Sequence, residues 1–148
     1  MVALLVVASA QAVRADSAAL HPDALLPFTV VGGLIPKSLT GVPGDPLKGK
    51  AVVLNRKLGN CLACHSMPIP GAADPGNVGP DLRGVASRSN EALLRTRLVN
   101  PKLLNPMTIM PAYYRVDHLH RVMKAFVGKP ILNAQQIEDV VAFLMTLK

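Results

Sequence analysis

The sequence has no tryptophan, two tyrosines and three phenylalanines, so aromatic residues make up only 3% of its 148 positions. Half of the residues are nevertheless apolar. A chain of this length is most simply one domain with a core of its own. With so few rings, the centre must be filled by something other than aromatic side chains. Cysteine is equally scarce: two thiols exclude a scaffold stapled by several disulfides. After Ala8 there is no second long apolar run, so no set of membrane-spanning helices is expected. Acidic residues are few as well, nine against sixteen Lys and Arg, for a net charge of +7. Such a surplus attracts anionic surfaces and small anions. No aromatic residues interleave with the basic ones, which speaks against nucleic acid as the partner. Neither an internal repeat nor strand alternation is found, and the expected class is a small all-α domain with long loops.

The opening "MVALLVVASAQAVRADS" is the one strongly apolar stretch. Its run from Met1 to Ala8 is too short to cross a bilayer and is followed by small residues that offer cleavage after Ala12 or Ala15. Residues 1–15 are therefore expected to be a secretory signal, shortened at its basic front end. Residues 16–44 are rich in Pro and Gly, and Leu25, Leu26, Phe28, Val30 and Val31 need cover there. They read as an extended arm lying on a surface, with His21 at that surface.

Residues 45–148 carry the helical signals. Asp45-Pro46 is a capping side chain followed by proline at the first helical position. Leu47, Ala51, Leu54 and Leu58 then recur at helical spacing up to Gly59. "SNEALLRTRLVNP" predicts a second helix, capped by Ser89 or Asn90, with Leu94 and Leu98 inward and Pro101 beyond its end. "LNAQQIEDVVAFLMTLK" predicts the strongest one. Asn133 and Gln136 make a capping-box start, and Ile137, Val140, Val141, Leu144 and Leu147 form one apolar face.

The chemistry sits in "GNCLACH". Cys61, Cys64 and His65 match C-x-x-C-H, the pattern of c-type haem attachment. Two thiols at this spacing reach the two vinyl groups on one edge of a porphyrin, and the adjacent histidine lies under the iron. A structural zinc site would need four ligands, and a thioredoxin-type pair would follow a strand of a parallel sheet. Neither suits a pair that follows a predicted helix and is completed by His65. A proximal histidine needs an acceptor for its other ring nitrogen, and a backbone carbonyl beside Pro80 in "GNVGPDLRGV" could serve.

The sixth ligand must come from a segment crossing the opposite face, and "NPMTIMPAYYRVDHLH" offers Met107, Met110, His118 and His120. Met67 lies too close to His65, and Met145 falls beside the packing stripe of the last helix. If residues 115–127 are helical, Met123 packs inward and His118 and His120 point about 200° apart. The loop between Pro106 and Pro111 remains. There the apolar neighbours Ile109 and Ala112 favour Met110, with Met107 the next choice.

A helix before C-x-x-C-H, a Gly-Pro loop, a distal Met-Pro and a C-terminal helix together resemble class I cytochromes c. The closer likeness is to the SoxX family, the small monohaem subunits of thiosulfate-oxidising SoxAX complexes. It runs from about Gly33 to Leu147 and rests on "GNCLACHSMP", "GNVGPDLRGVASR", "LNPMTIMPAYYRV" and "GKPILNAQQIEDVVAFLMTLK". The resemblance implies one covalent haem c with His65 and Met110 as axial ligands and the Pro80 carbonyl orienting His65. It also implies a periplasmic location and a heterodimer with a SoxA-type subunit that holds the catalytic cysteine. A SoxYZ-type carrier would receive thiosulfate, and a soluble cytochrome would take the electrons onward. The whole assembly would be an L-cysteine S-thiosulfotransferase, with no nucleophile expected in this chain. Arg83, Arg115 and Arg121 are the basic residues expected near the haem edge.

Overall fold

A computed structural model of the chain describes residues 25–72 and 75–148. The expected signal segment and His21 lie outside them. The described residues form four α-helices: α1 (Pro46–Leu54), α2 (Val85–Arg88), α3 (Glu91–Val99) and α4 (Ala134–Leu144). Three 3-10 turns join them, at Cys61–Ala63, Pro101–Leu103 and Lys124–Phe126. Among these residues no strand forms, only an isolated bridge between Val31 and Leu34. No described helix is long and apolar enough to cross a membrane.

The capping chemistry reads directly into helix starts. Asp45 accepts hydrogen bonds from the amides of Leu47 at 2.9 Å and Lys48 at 3.3 Å. Asn90 caps α3 through the Leu93 amide, also at 2.9 Å. Asn133 and Gln136 form the reciprocal capping box of α4. On α4 the residues Ile137, Val140, Val141 and Leu144 are buried, and Leu147 follows just past its end. Met145 is only partly buried against this core.

Two expectations need correction. The first helix stops at Leu54, and residues 55–58 turn back so that the Gly59 amide bonds the Val52 carbonyl at 3.2 Å. Its inner face is not the leucine stripe but Gly49, Val52 and Val53, while Leu47 is 79% exposed. The reason is the closeness of the α1–α4 crossing. A Cβ at Gly49 would collide with the Asp139 carbonyl oxygen, and one at Gly44 with that of Glu138. The backbones meet where there is no side chain, and this outweighs the bulk of the leucines. Residues 115–127, conditionally a helix, are instead a loop with one 3-10 turn. His118 and Arg121 take left-handed conformations (φ 50° and 56°) that no α-helix accommodates, and Met123 is exposed rather than buried.

The described part of the arm, residues 25–44, lies on this chain's own body. Ile35 is fully buried and its amide bonds Thr96 Oγ1 at 2.8 Å. The Leu39 amide donates to Glu138 Oε1 at 2.9 Å. Arg95 ties both contacts together, with Nε 2.8 Å from Glu138 Oε1, Nη2 2.9 Å from Oε2, and Nη1 donating to the Ile35 carbonyl at 3.1 Å. Further along the arm, the Leu26 amide donates to the Tyr114 hydroxyl, and the Phe28 ring tilts against Tyr114 at 6.4 Å. Leu25, Phe28, Val30 and Val31 nonetheless remain exposed.

Candidate functional site

The C-x-x-C-H turn is wound by local bonds. Asn60 enters it at φ 48°, and the amides of Cys64 and His65 both bond the Cys61 carbonyl, at 3.2 and 2.9 Å. This winding sends both sulfurs and the imidazole toward one cavity of about 460 Å³. The cysteines are free thiols. Burial pushes the Cys61 thiol up to about 11, and Cys64 nearby adds to the shift. At neutral pH this sulfur therefore keeps its proton.

The proximal wall is the loop from Gly76 to Asp81. The Gly76 amide bonds the Leu62 carbonyl at 2.7 Å, and the Gly79 amide bonds that of Cys64 at 2.8 Å. His65 Nδ1 donates to the Pro80 carbonyl at 2.7 Å, which leaves Nε2 as the ring nitrogen free to ligate. Gly79 lies flat on this ring, since a Cβ there would collide with Cε1. The Arg83 amide, at 2.7 Å, holds the Asp81 carboxyl below its usual range and stiffens the end of the loop.

Met110 also lines this cavity and is partly buried against the core. Met107 points away and is 86% exposed. His118 is exposed beside Asp117 at 3.5 Å, and neither His118 nor His120 lines the cavity. Cys61, Cys64, His65, Pro80 and Met110, drawn from three separate segments, thus line one cavity.

The rest of the lining is mainly apolar, including Leu82, Val85, Leu94 and Leu98. Among the described residues it holds two cations, Arg88 and Arg97, and no carboxylate. Such a wall fits a flat apolar ring fixed by thioethers at one edge and carrying carboxylates of its own. Arg88 donates to the carbonyls of Arg83 and Asp81, each at 2.6 Å, and so also braces the proximal loop. The residues expected near the haem edge, Arg83, Arg115 and Arg121, do not line the cavity, and Arg115 is engaged with Asp117 at 3.4 Å. A signal for Arg97 was present, because it shares the spacing of Leu94 and Leu98 on α3. Val78 and Ile109, 64% and 82% exposed, sit at the cavity mouth.

A mainly apolar cavity lined by two thiols, an oriented imidazole and a thioether, among short helices, is the architecture of a c-type cytochrome. Residues 47–148 match the family described as Cytochrome c, and the chain belongs to that family. Among solved structures it is similar to SoxXA from P. pantotrophus, at 46% identity and a TM-score of 0.76, over 82% of this chain and 94% of that one. This match supports the resemblance to SoxX. Ferric cytochrome c-550 from Paracoccus versutus is a weaker likeness: 22% identity, TM-score 0.38, 70% of this chain and 98% of that one. A comparison with curated proteins returned no match.

Proposed function

We propose that this chain is the electron-accepting, monohaem subunit of a periplasmic SoxAX-type complex that oxidatively joins thiosulfate to a carrier-protein cysteine. The observation that carries the reading is that His65 and Met110 line one cavity together with the C-x-x-C-H sulfurs. When bound, the haem supplies one-electron exchange between ferric and ferrous iron.

The chain's own residues do the rest. Cys61 and Cys64 would hold the haem covalently, each adding S–H across one vinyl double bond so that sulfur takes one carbon and the proton the other, with no net oxidation or reduction. His65 Nε2 and Met110 Sδ would be the ligands of its iron, so a bound haem would exchange electrons without taking substrate onto the metal. Methionine ligation raises the reduction potential, which suits an acceptor. With two cysteines in all, both used in attachment, the chain has no thiol to act as nucleophile. That role falls to a SoxA-type partner. The exposed Val78 and Ile109 at the cavity mouth provide an apolar contact for it, where electrons have the shortest way in. A SoxYZ-type carrier and a soluble periplasmic cytochrome complete the route, and residues 1–15 direct export.

Two measurements test the reading. Expressed with its native neighbours, the chain should copurify with a second haem-bearing subunit, and the pair should be reduced in the presence of thiosulfate and carrier. Elution alone, with no thiosulfate-dependent reduction, would leave a free-standing electron shuttle. For the ligand, Met110→Ala should abolish the weak far-red iron–methionine absorption band of the ferric protein, whereas Met107→Ala should keep it. Loss of the band in the Met107 variant alone would overturn the assignment.

A further inference from the structure

Tyr113 is not needed to hold or ligate a haem, yet it occupies a junction between the two halves of the site. Its backbone is pinned on both sides. The Tyr113 amide bonds the Leu98 carbonyl in the last turn of α3 at 2.9 Å, and its carbonyl accepts from the Leu132 amide at 3.0 Å. From that anchored position the side chain runs along the cavity wall. Its hydroxyl donates to the Gly59 carbonyl at 2.9 Å, across 54 residues of sequence. The residue is only 7% exposed. Burial raises the phenol well above its ordinary pKa, so the hydroxyl remains a donor.

The acceptor has no slack. The Gly59 amide is bound to Val52, and a Cβ at Gly59 would stand 2.8 Å from the Val52 carbonyl oxygen and 3.1 Å from Cys61 Sγ. Asn60, next in line, holds a left-handed conformation with no side-chain cap. Lys102 ties the front of the distal loop, its Nζ donating to the Thr108 carbonyl at 2.8 Å, but the stretch at Met110 itself is held more lightly. Met107 and Ile109 are exposed, and the Met110 amide has only the Thr108 hydroxyl, at 3.2 Å. The nearest firm anchor after Met110 is therefore Tyr113, with Pro111 stiffening the short link between them. A phenylalanine would fill the same apolar wall. A hydroxyl buried there is costly unless bonded, and its one bond joins the distal loop to the attachment turn.

We propose that Tyr113 is a positioning residue whose hydroxyl couples the Met110 loop to the Cys61 turn and so sets how readily the methionine leaves the iron. The inference rests on Met110 being the ligand.

The test uses the full holoprotein in its ferric form, titrated with imidazole, a ligand that must displace the methionine. The readout is the loss of the far-red band. Losing one hydrogen bond that holds the closed loop makes Tyr113→Phe bind imidazole roughly tenfold more tightly than wild type. Tyr114→Phe, whose hydroxyl serves the Leu26 amide in the arm, should stay within about twofold, well under the size of one such bond. Equal affinity of wild type and Tyr113→Phe, with unchanged circular dichroism, overturns the coupling while leaving Met110 as ligand. Absence of the band in wild type overturns both. A second measurement needs no variant. On adding imidazole to wild type, hydrogen exchange should quicken at the amides of residues 61–65 as well as 108–113. Quickening confined to the distal loop also overturns the proposal.

Discussion

Replacing Arg95 with alanine should destabilise the protein by about 3–5 kcal/mol, the usual cost of stranding one partner of a buried ion pair. Arg95 and Glu138 are 2% and 4% exposed and share two short bonds, of 2.8 and 2.9 Å. Without the guanidinium, Glu138 keeps the Leu39 amide but has lost its countercharge, and the Ile35 carbonyl loses a donor. The penalty is mostly that of an uncompensated buried charge, together with the emptied volume of a large side chain. Chemical denaturation of the holoprotein measures it as a lowered midpoint. Glu91→Ala is the matched comparison, because Glu91 approaches Arg95 at 3.5 Å from solvent and is 66% exposed. That change should cost about 1 kcal/mol or less. The double change Arg95→Met with Glu138→Leu should recover much of the loss, since an apolar pair strands no charge. A drop for Arg95→Ala no larger than for Glu91→Ala would show that the pair carries no such weight.

Gly79→Ala should be the most damaging single methyl group in the site. The new carbon would collide with His65 Cε1 and stand 2.6 Å from Nδ1 and 2.8 Å from Nε2. Backbone movement to relieve this is opposed by the bond from the Gly79 amide to the Cys64 carbonyl at 2.8 Å. The ring must therefore turn away, and its bond to the Pro80 carbonyl is lost with the turn. Removing such an orienting partner typically weakens metal binding by roughly 10–100-fold. The expected result is a five-coordinate, high-spin fraction in the electron paramagnetic resonance spectrum of the ferric protein. The reduced form should also bind carbon monoxide, which wild type should refuse. A low-spin spectrum identical to wild type would refute the crowding argument.

How much of this was legible beforehand depended on the range of the interaction. Asn90, Asn133 and Gln136 act within one turn of their own helices, so α3 and α4 could be read from local spacing. The C-x-x-C-H turn is local in the same way, and its three side chains face one cavity. The inner face of α1 was not legible, because it is chosen by a backbone approach to α4 nearly a hundred residues away. The Arg95–Glu138 pair was invisible for the same reason, since its partners lie 43 positions apart. The loop of residues 115–127 misled differently. Val116, Leu119, Met123 and Phe126 suit a helix in spacing, but His118 and Arg121 adopt φ values that break it.

The arm, α1 and α4 together bear on how the protein is made. Glu138 accepts the Leu39 amide across 99 positions, and α1 rests on α4 through Gly49. Synthesis delivers the arm, α1 and the two cysteines well before the helix that completes their support. A chain emerging from its N-terminus therefore cannot settle the arm and α1 until α4 has followed, because the contacts that hold them are distant in sequence. During that interval the thiols stand open, and the opening to the cavity is widest when attachment chemistry must reach them.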